Sequence, residues 1–587
     1  MLRVLHGLPK WLRTLFSVIG LVLMLALAWA CRMASAPEIF IGGNVYYFDP
    51  DCYSRMTRVK MVLEHPFKHI AYHAFENYPQ GVFTHTTAPL DYAIALLTLP
   101  MRWLSAQPVD MAGAFIGPLL GLLSILYLWW WCRAMKLHYL WMLLFVAAVS
   151  PILAHGYAVG RPDHQNIILL FLTVALTSEW TLWQKPSRGW AIVNGCAWGL
   201  ALWTSFFEPL ILLVATLLLR GGLLYLPQRL FKKSKLTTIQ SVWLENIAVL
   251  GIVLFVSLLF EGIRIPHLSK ETLTYFDNWS HTIAELRPMT MDRFGVVRFT
   301  GWLLYAAPFL LVIDAIRSKS RESLALAVLV ILTAGLTIWE QRWGYFVAMM
   351  FAISLPWVMR PFEARWLQYG ALIVVGILTL WAKIWVGVAL LLIAVIVARF
   401  LGKIRGRWIG YVVFIFSLGP MAWEWQNVIY PPDNYAQFLA EKHKDAVLLH
   451  EVAEHLISPE KTPILAPWWL SPAITYWSGQ PSVSGSSHES LPGTVDSARF
   501  YLATNNAEAR EILNRRGVRY VVAYEPERII DTSAKLLGKP APENPLGALL
   551  YQSPEKAPRF LQLVYANEFF KVYENISLNA SETKEEK

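Results

Sequence analysis

The sequence is dominated by apolar stretches of roughly 17 to 25 residues, the length that a helix needs to cross a hydrocarbon core about 30 Å thick. About thirteen such stretches follow one another along the chain. Hydrophobic residues make up 56% of the 587 residues and charged residues only 16%. A water-soluble globule could not cover so much apolar surface. The pattern therefore predicts an α-helical polytopic membrane protein.

The predicted spans extend from the N-terminal region to residue 422. Their boundaries are 14–31, 111–132, 138–156, 165–183, 189–205, 209–227, 241–262, 298–316, 323–339, 343–359, 367–382, 384–401 and 408–422.

Lysine and arginine residues concentrate in every second connection between these spans. They are Arg133, Lys136, Lys185, Arg188, Arg229, Lys232, Lys233, Lys235, Arg317, Lys319, Arg321, Arg360, Arg365, Lys403, Arg405 and Arg407. Connections rich in these residues stay in the cytoplasm, so loops 32–110 and 263–297 and everything after residue 422 are expected on the outer side. The net charge of +10 thus sets topology and indicates no nucleic-acid partner.

The segment from Pro89 to Leu104 is apolar enough to be counted as a further span. Counting it would place the basic connections outside, against the usual charge bias. We therefore predict an interfacial or partly buried helix within the first external loop, carrying Asp91 and Arg102.

The composition becomes that of a soluble protein from about Asn434. Ala446–His455 and Ala507–Arg516 have helical patterns, and Tyr520–Tyr524 is a short β-rich run. The predicted organisation is a transmembrane domain over 1–422, an extracytoplasmic mixed α/β domain over 423–574, and a disordered polar tail over 575–587.

The first group of polar residues that could carry chemistry begins the first external loop, Phe48-Asp49-Pro50-Asp51-Cys52-Tyr53. Two carboxylates, Asp49 and Asp51, suit a hard divalent cation such as Mg²⁺ or Mn²⁺, which prefers oxygen ligands. The alternative is the solvated start of a loop.

The second group, Gly160-Arg161-Pro162-Asp163-His164-Gln165-Asn166, immediately precedes the fourth span on the same side. Ionisable groups at the mouth of an apolar helix have to be solvated or paired, and they often line a polar cavity. A capped helix start explains the pattern equally well.

Two further groups are expected on this face. Thr282-Ile283-Ala284-Glu285 follows His281 in the loop after the seventh span, and Arg342 stands in the turn between the ninth and tenth spans. A guanidinium suits a phosphate or pyrophosphate group, although Arg342 could also anchor the span at the interface.

Taken in order, these motifs and a Trp-Trp pair in the C-terminal region resemble those of the catalytic subunit of oligosaccharyltransferase, of the bacterial and archaeal single-subunit type in the GT-C membrane glycosyltransferase superfamily. The similarity extends over nearly the whole chain. Its most specific motif is Thr282–Glu285.

The resemblance implies roles for individual residues. It implies that Asp51 contacts both metal and acceptor, that Glu285 ties the external loop to the metal, and that Arg342 stabilises the lipid pyrophosphate. Asp163 corresponds to the second-loop metal ligand, and the neighbouring His164 and Gln165 are further candidate ligands of Mg²⁺ or Mn²⁺.

Trp468 and Trp469 correspond to the paired tryptophans that contact the acceptor in that family. Asp49, Arg161 and His281 are secondary site candidates.

The sequence departs from the family pattern at two points. The family's Trp-Trp-Asp-Tyr-Gly is replaced by Trp468-Trp469-Leu470-Ser471-Pro472, which removes the acceptor for a sequon hydroxyl. The second motif has Gln165 where the family usually has an acid or a histidine.

The resemblance implies an inverting, metal-assisted enzyme that transfers a glycan from a polyprenyl-diphosphate-linked donor to an acceptor polypeptide at the outer face. It would work within membrane lipid, as a monomer, in a bacterial inner membrane. The alternatives are a related polyprenyl-sugar transferase acting on a lipid, a polysaccharide or a hydroxyl, and a transporter or flippase. A transporter is disfavoured because the acids cluster at one face and no inverted repeat is visible.

Overall fold

The computed structural model describes residues 9–66, 70–84, 88–224, 240–262, 270–289, 295–363 and 407–577. The spans predicted at 367–382 and 384–401, and most of the polar tail predicted from residue 575, lie outside these ranges.

Most of the described chain up to residue 429 is helical. The apolar helices are Lys10–Arg32, Ala88–Met101, Pro108–Ala134, Leu140–Val149, Pro151–Gly156, His164–Gln184, Arg188–Thr204, Phe207–Leu224, Gln240–Glu261, Leu303–Ser318, Arg321–Trp339, Gly344–Val358, Arg407–Ser417 and Gly419–Ile429. The helices Ala36–Ile39, Pro50–Glu64 and Lys270–Ser280 and the 3₁₀ turns Ala284–Leu286, Gly295–Phe299, Gln341–Trp343 and Arg360–Glu363 connect them.

Within the described residues, six helical segments are long and apolar enough to cross a membrane, which makes the chain an integral membrane protein. They are Thr14–Arg32, Pro108–Ala134, His164–Gln184, Val242–Glu261, Arg321–Trp339 and Gln341–Phe362. Helices also occupy the other predicted spans in the described ranges, although a count of thirteen crossings is not established.

Proline determines one difference from the predicted spans. The span expected at 138–156 consists of two helices that meet at Ser150 and Pro151. Because proline has no N–H and disfavours helical geometry in the residue before it, the helix stops there and a new one begins. The carbonyls freed at the break accept from distant side chains: Arg32 donates to Ala147 at 3.2 Å and to Ala148 at 3.1 Å, and Trp425 Nε1 donates to Val149 at 2.7 Å.

The helix Gly344–Val358 forms the centre of the membrane part, and every one of its residues is buried. A helix that is apolar on all sides needs neighbours on all sides. It packs against Leu140–Val149, Leu303–Ser318 and Arg321–Trp339. Its first turn therefore offers a fixed position for Tyr345.

The segment predicted as an interfacial or partly buried helix is Ala88–Met101, which packs against Pro50–Glu64 and Pro108–Ala134. Asp91 is buried in it, 2.7 Å from Arg55 and 3.3 Å from Arg58. Leu96 and Leu99 on the other side are exposed. The helix is therefore partly buried, as predicted, with its acid paired inside the protein.

The chain after residue 429 is a mixed α/β region. Its helices are Tyr435–His455, Ser471–Ser478, Leu491–Leu502, Asn506–Arg516, Pro526–Leu537 and Leu546–Gln552, with 3₁₀ turns at His488–Ser490 and Pro554–Lys556. A four-stranded sheet has the order Ile464–Leu465, Tyr520–Ala523, Lys571–Asn575, Leu561–Ala566, with the first pair parallel and the others antiparallel.

The helices predicted near 446–455 and 507–516 and the strand predicted near 520–524 are thus confirmed. The domain boundary expected at residue 422 falls inside the helix Gly419–Ile429.

Two short antiparallel hairpins shape the first loop. They pair Phe40–Ile41 with Asn44–Val45, and Tyr72–His73 with Val82–Phe83. The second hairpin and the turn within it contact the C-terminal region: Ser482 donates its N–H to the Phe75 carbonyl at 2.9 Å. The first loop therefore lies between the membrane helices and the α/β region.

Candidate functional site

The start of the first loop is held beside the second polar motif by backbone contacts. Asp49 caps the helix Pro50–Glu64, accepting the Cys52 N–H at 3.0 Å, as carboxylates at helix N-termini do. The preceding Phe48 donates its N–H to the Gly160 carbonyl at 2.9 Å. Gly160 has φ of +75° and a Cβ there would lie 2.5 Å from Ile39, so only glycine allows this approach.

Arg161 is buried at the centre of the polar motifs, with 3% of its surface exposed. Its Nη2 lies 3.3 Å from Asp163 Oδ2 and 3.7 Å from Glu285 Oε2, and its Nε lies 3.5 Å from Asp49 Oδ2. Three carboxylates from three separate segments therefore meet at one guanidinium.

The remaining contacts of Arg161 fix its orientation. Nη1 donates to the Tyr345 hydroxyl at 2.5 Å and lies 2.7 Å from Nδ1 of His155, and Nη2 donates to Gln165 Oε1 at 3.2 Å. Tyr345 stands in the first turn of the buried central helix. The guanidinium is thus held from both sides.

Glu285 lies in the 3₁₀ turn Ala284–Leu286, and its side chain is 34% exposed. The end of this loop is fastened to the turn that carries Arg342: Gln341 donates its N–H to the Arg287 carbonyl at 3.0 Å. Burial raises the pKa of Glu285, while the guanidinium groups of Arg161 and Arg342 oppose that rise. Glu285 therefore joins the two arginines electrostatically.

Arg342 is 21% exposed, with its Nε 2.5 Å from Glu340 and 3.5 Å from Glu208. Glu208 is a partner of Arg342 that the sequence motifs do not predict. An acid at the external start of the span 209–227 was the available signal, because a carboxylate there needs a partner. Two acids thus hold Arg342 in place at the edge of the cluster.

Asp51 as a residue is exposed to solvent, while nearby protein atoms partly desolvate its carboxyl. Burial, and then the charges of Asp49 and Asp163, raise the pKa of Asp51 to about 8, and a hydrogen bond from Ser486 opposes the rise. Ser486 belongs to the C-terminal region, more than 430 residues away in sequence, and could not be assigned to this site from its local pattern.

Asp163 behaves differently. Burial opposes its ionisation, but His164 and Arg161 lower the pKa of Asp163 below its usual range. Its Oδ1 lies 2.5 Å from His164 Nδ1. Two neighbouring carboxyls, Asp51 and Asp163, therefore have pKa shifts of opposite sign, a pattern that accompanies acid and base roles in enzymes.

The side chains predicted as metal ligands already have protein partners. Asp163 contacts Arg161 and His164, Gln165 accepts from Arg161, and Asp51 accepts from Ser486. Among the described residues no group of three His, Cys, Asp or Glu side chains is arranged to hold a metal ion. As arranged, these residues do not fit a divalent cation, which needs oxygen ligands at about 2.0–2.6 Å.

Trp468 and Trp469 lie just after the strand Ile464–Leu465, with ring planes at 89° and centroids 5.8 Å apart. They line a small pocket together with Thr494, Ser497 and Tyr501. Both indole N–H groups are buried and have no hydrogen-bond partner among the described residues. Buried donors are normally paired, and these two are not.

The two residues after the tryptophans, Leu470 and Ser471, have side chains that contact other parts of the protein. Leu470 is buried, and the Ser471 hydroxyl lies 3.1 Å from the Ala466 carbonyl and 2.8 Å from the Ser484 hydroxyl. Neither side chain replaces the missing carboxylate at the pocket.

His281 is not brought into the cluster. Its ring is 66% exposed and lies 3.9 Å from Asp277, one turn earlier. Its carbonyl accepts from Arg287 Nε at 2.7 Å, so within the described chain its contacts are local.

No protein-family profile matches this sequence. No curated protein matches it in sequence either.

Solved structures do match. The oligosaccharyltransferase of Archaeoglobus fulgidus, tethered to an acceptor peptide containing the NVT sequon, is 15% identical with a TM-score of 0.61 over 90% of this chain and 72% of that one. ArnT of Cupriavidus metallidurans, bound to undecaprenyl phosphate, is 15% identical with a TM-score of 0.51 over 97% and 99%. This chain has the oligosaccharyltransferase fold.

The resemblance predicted from the motifs is therefore confirmed at the level of fold. A third structure with the oligosaccharyltransferase fold, also from Archaeoglobus fulgidus, is a complex with Zn and sulfate; it is 14% identical with a TM-score of 0.52 over 95% of this chain and 73% of that one.

Proposed function

We propose that this protein is a membrane glycosyltransferase that transfers a glycan from a polyprenyl-diphosphate-linked donor to a polypeptide, with inversion at the transferred carbon. The observation that carries the proposal is the convergence of Asp49, Asp163 and Glu285 on Arg161, with Glu285 also interacting with Arg342. In this fold, structures from other organisms hold an acceptor peptide or undecaprenyl phosphate.

The reaction breaks the bond between the anomeric carbon and the diphosphate oxygen and forms a bond from the same carbon to the acceptor. The electron pair of the broken bond leaves with the lipid diphosphate. Arg342 is the partly exposed cation of the cluster, and its planar guanidinium suits two phosphate oxygens. It stabilises the charge that develops there.

Asp51 is the acid that solvent reaches most readily in this cluster. In its ionised form it can take the proton that the acceptor loses when the new bond forms, provided that the acceptor lies within hydrogen-bond reach. For an amide acceptor, whose nitrogen lone pair is conjugated, hydrogen bonds donated by its N–H groups to the Asp51 and Glu285 carboxylates would weaken the conjugation.

The pocket beside Trp468 and Trp469 supports a polypeptide acceptor. Its lining includes the two tryptophans that the resemblance assigns to contact with the acceptor. Trp279, from the helix that precedes Glu285, lies 6.5 Å from Trp468 between ring centroids. The pocket is therefore connected by packing to the loop that carries Glu285.

A hydroxyl acceptor, on a lipid, a polysaccharide or a protein, is the second candidate. It is favoured by buried Leu470 at the position where the family has the aspartate that binds a sequon hydroxyl. A hydroxyl needs a single base for activation.

We extend the proposal to location and partners. We place the protein in a bacterial inner membrane, as the resemblance implies, and the distribution of Lys and Arg supports an extracytoplasmic C-terminal region. The enzyme would act as a monomer in contact with membrane lipid. A requirement for Mg²⁺ or Mn²⁺ is predicted from the resemblance alone, and no catalytic step is assigned to either ion.

The test uses the purified full chain with an undecaprenyl-diphosphate-linked oligosaccharide and a fluorescent peptide containing Asn-Val-Thr. Matched peptides carry Gln in place of Asn, or Asn-Val-Ala. We expect the Asn-Val-Thr and Asn-Val-Ala peptides to become glycosylated on Asn, as detected by mass spectrometry. Glycan attached to the Gln peptide through its hydroxyl residue, or to a hydroxylated lipid alone, would transfer support to the second candidate.

A further inference from the structure

Arg161 occupies an unusual position for an arginine in a site of acids. It is 3% exposed and so cannot bind a large substrate directly. All three of its nitrogen atoms face protein oxygens or a histidine nitrogen. A buried guanidinium is stable only with such partners.

The oxygens around Arg161 are those that a hard cation would otherwise use. Nη2 alone lies within 3.7 Å of Asp163 Oδ2, Gln165 Oε1 and Glu285 Oε2, and Nε faces Asp49 Oδ2 at 3.5 Å. Three carboxylates and an amide oxygen from three segments make a set that suits Mg²⁺ or Mn²⁺. Here they surround a positive charge that belongs to the chain.

From this arrangement we propose that the Arg161 guanidinium takes the place of a divalent metal ion in this site, so that the enzyme works without one. Gln165 fits this role, because a fourth carboxylate in its place would leave the single positive charge of Arg161 facing further uncompensated charge. The donor diphosphate then meets the guanidinium of Arg342 and no metal ion.

Arg161 is a positioning residue in this proposal. It holds Asp49, Asp163 and Glu285 in their relative positions and lowers the repulsion between them. Tyr345 and His155 orient the planar guanidinium. A spherical ion would need no such orientation. The inference rests on the proposed function only for its activity measurement, since cation binding can be measured without any substrate.

The first measurement needs no variant. The purified full chain, stripped with EDTA, is titrated with MnCl₂, and free Mn²⁺ is followed by electron paramagnetic resonance. We expect no stoichiometric Mn²⁺ site, and we expect glycan transfer to be the same with EDTA as with added Mn²⁺. One tightly bound Mn²⁺ per chain that Glu285→Gln removes, or transfer that EDTA abolishes, would overturn the proposal.

The second measurement uses a variant that empties the space of the Arg161 guanidinium. Arg161→Ala removes the guanidinium and leaves the carboxylates and space for a hydrated ion. We expect this variant to bind Mn²⁺, to lose roughly 10- to 100-fold of its transfer activity in EDTA, as loss of a supporting partner typically does, and to recover part of it with Mn²⁺. A purely structural arginine would produce neither the Mn²⁺ signal nor the recovery.

Two matched variants complete the test. Arg220→Ala removes another buried arginine, whose Nη2 lies 2.7 Å from the single acid Glu179, and should create no Mn²⁺ site. Arg161→Lys keeps one positive charge and should remain insensitive to EDTA. The proposal fails if Arg161→Ala binds no more Mn²⁺ than Arg220→Ala. Absence of transfer in every variant together with the expected Mn²⁺ signals would reject the proposed function and leave this inference standing.

Discussion

At the scale of residues, the first-loop acids have different surroundings. Asp49 is a helix cap beside buried Arg161, whereas Asp51 faces solvent and is repelled by Asp49 and Asp163. The resemblance implies that Asp51 contacts both metal and acceptor, and these roles stay predictions. In the structure Asp49 lies 3.5 Å from Arg161 Nε, and Asp51 is exposed to solvent.

The raised pKa of Asp51 predicts how transfer depends on pH. With a pKa of about 8, the carboxylate of Asp51 is the minor form at neutral pH. Its fraction falls about tenfold for each unit by which the pH is lowered below about 7. If Asp51 is the base, kcat/KM rises roughly tenfold from pH 6 to pH 7 and levels off above pH 8. Initial rates across this range check the prediction.

Asp51→Asn supplies the control. It should be slow at all pH values and lack the rise. A wild-type profile that is flat between pH 6 and pH 8 would remove Asp51 from the role of base.

The sequence predicted much of this cluster at the level of residues but not its geometry. Charge asymmetry placed Asp51, Asp163, Glu285 and Arg342 on one face, and all four interact electrostatically with members of the cluster. The pairing of acids with Arg161 could not be predicted, because it depends on side-chain directions in three loops that are distant in sequence.

At the scale of elements, the first external loop is clamped to the C-terminal region by one buried arginine. Arg516 donates from Nε to Asp496 at 2.8 Å, and from Nη1 to Asn77 Oδ1 and the Tyr78 carbonyl, each at 3.1 Å. Its position at the end of the helix Asn506–Arg516 also places the positive charge near the helix C-terminus, where it is favourable.

Arg516→Met should therefore destabilise the α/β region and its contact with the loop. Removing one partner of a buried ion pair costs about 3–5 kcal/mol, whereas Arg515→Met, at a side chain that is 49% exposed, should cost less than about 1 kcal/mol. Thermal unfolding of both variants in detergent provides the comparison. Equal stability of the two would show that Arg516 does not clamp the loop.

Helix positions could be predicted from the sequence because the apolar runs are long. Breaks within the helices were harder to predict. The sequence predicted a single span over 138–156, but Pro151 divides it. The result is a short helix, Pro151–Gly156, that brings His155 against Arg161. A local proline thus changes a span into part of the site, which hydropathy alone does not reveal.

At the scale of the whole molecule, the proposed function requires the C-terminal region and the acid cluster to lie outside the cytoplasm. The orientation is a prediction from positive charges in alternate connections. The fold agrees with the predicted architecture of a helical membrane part followed by a mixed α/β region.

Cysteine labelling tests the orientation. In a chain with its four native cysteines replaced by alanine, Glu508→Cys introduces a thiol at an exposed position of the α/β region, and Ala134→Cys at an exposed position of a basic connection. A membrane-impermeant maleimide should label the first in intact cells and the second only after permeabilisation. The reverse pattern would place the cluster on the cytoplasmic side.

The central claim is that the acids around Arg161 carry out glycan transfer from a lipid-linked donor. The most direct measurement compares Glu285→Gln with Asp277→Asn, an acid-to-amide change at an exposed position of the same loop, using purified protein, lipid-linked oligosaccharide and acceptor. We expect the transfer rate to fall about 100-fold or more in Glu285→Gln and to stay at the wild-type value in Asp277→Asn. Wild-type rates for both variants would show that Glu285 takes no part in transfer.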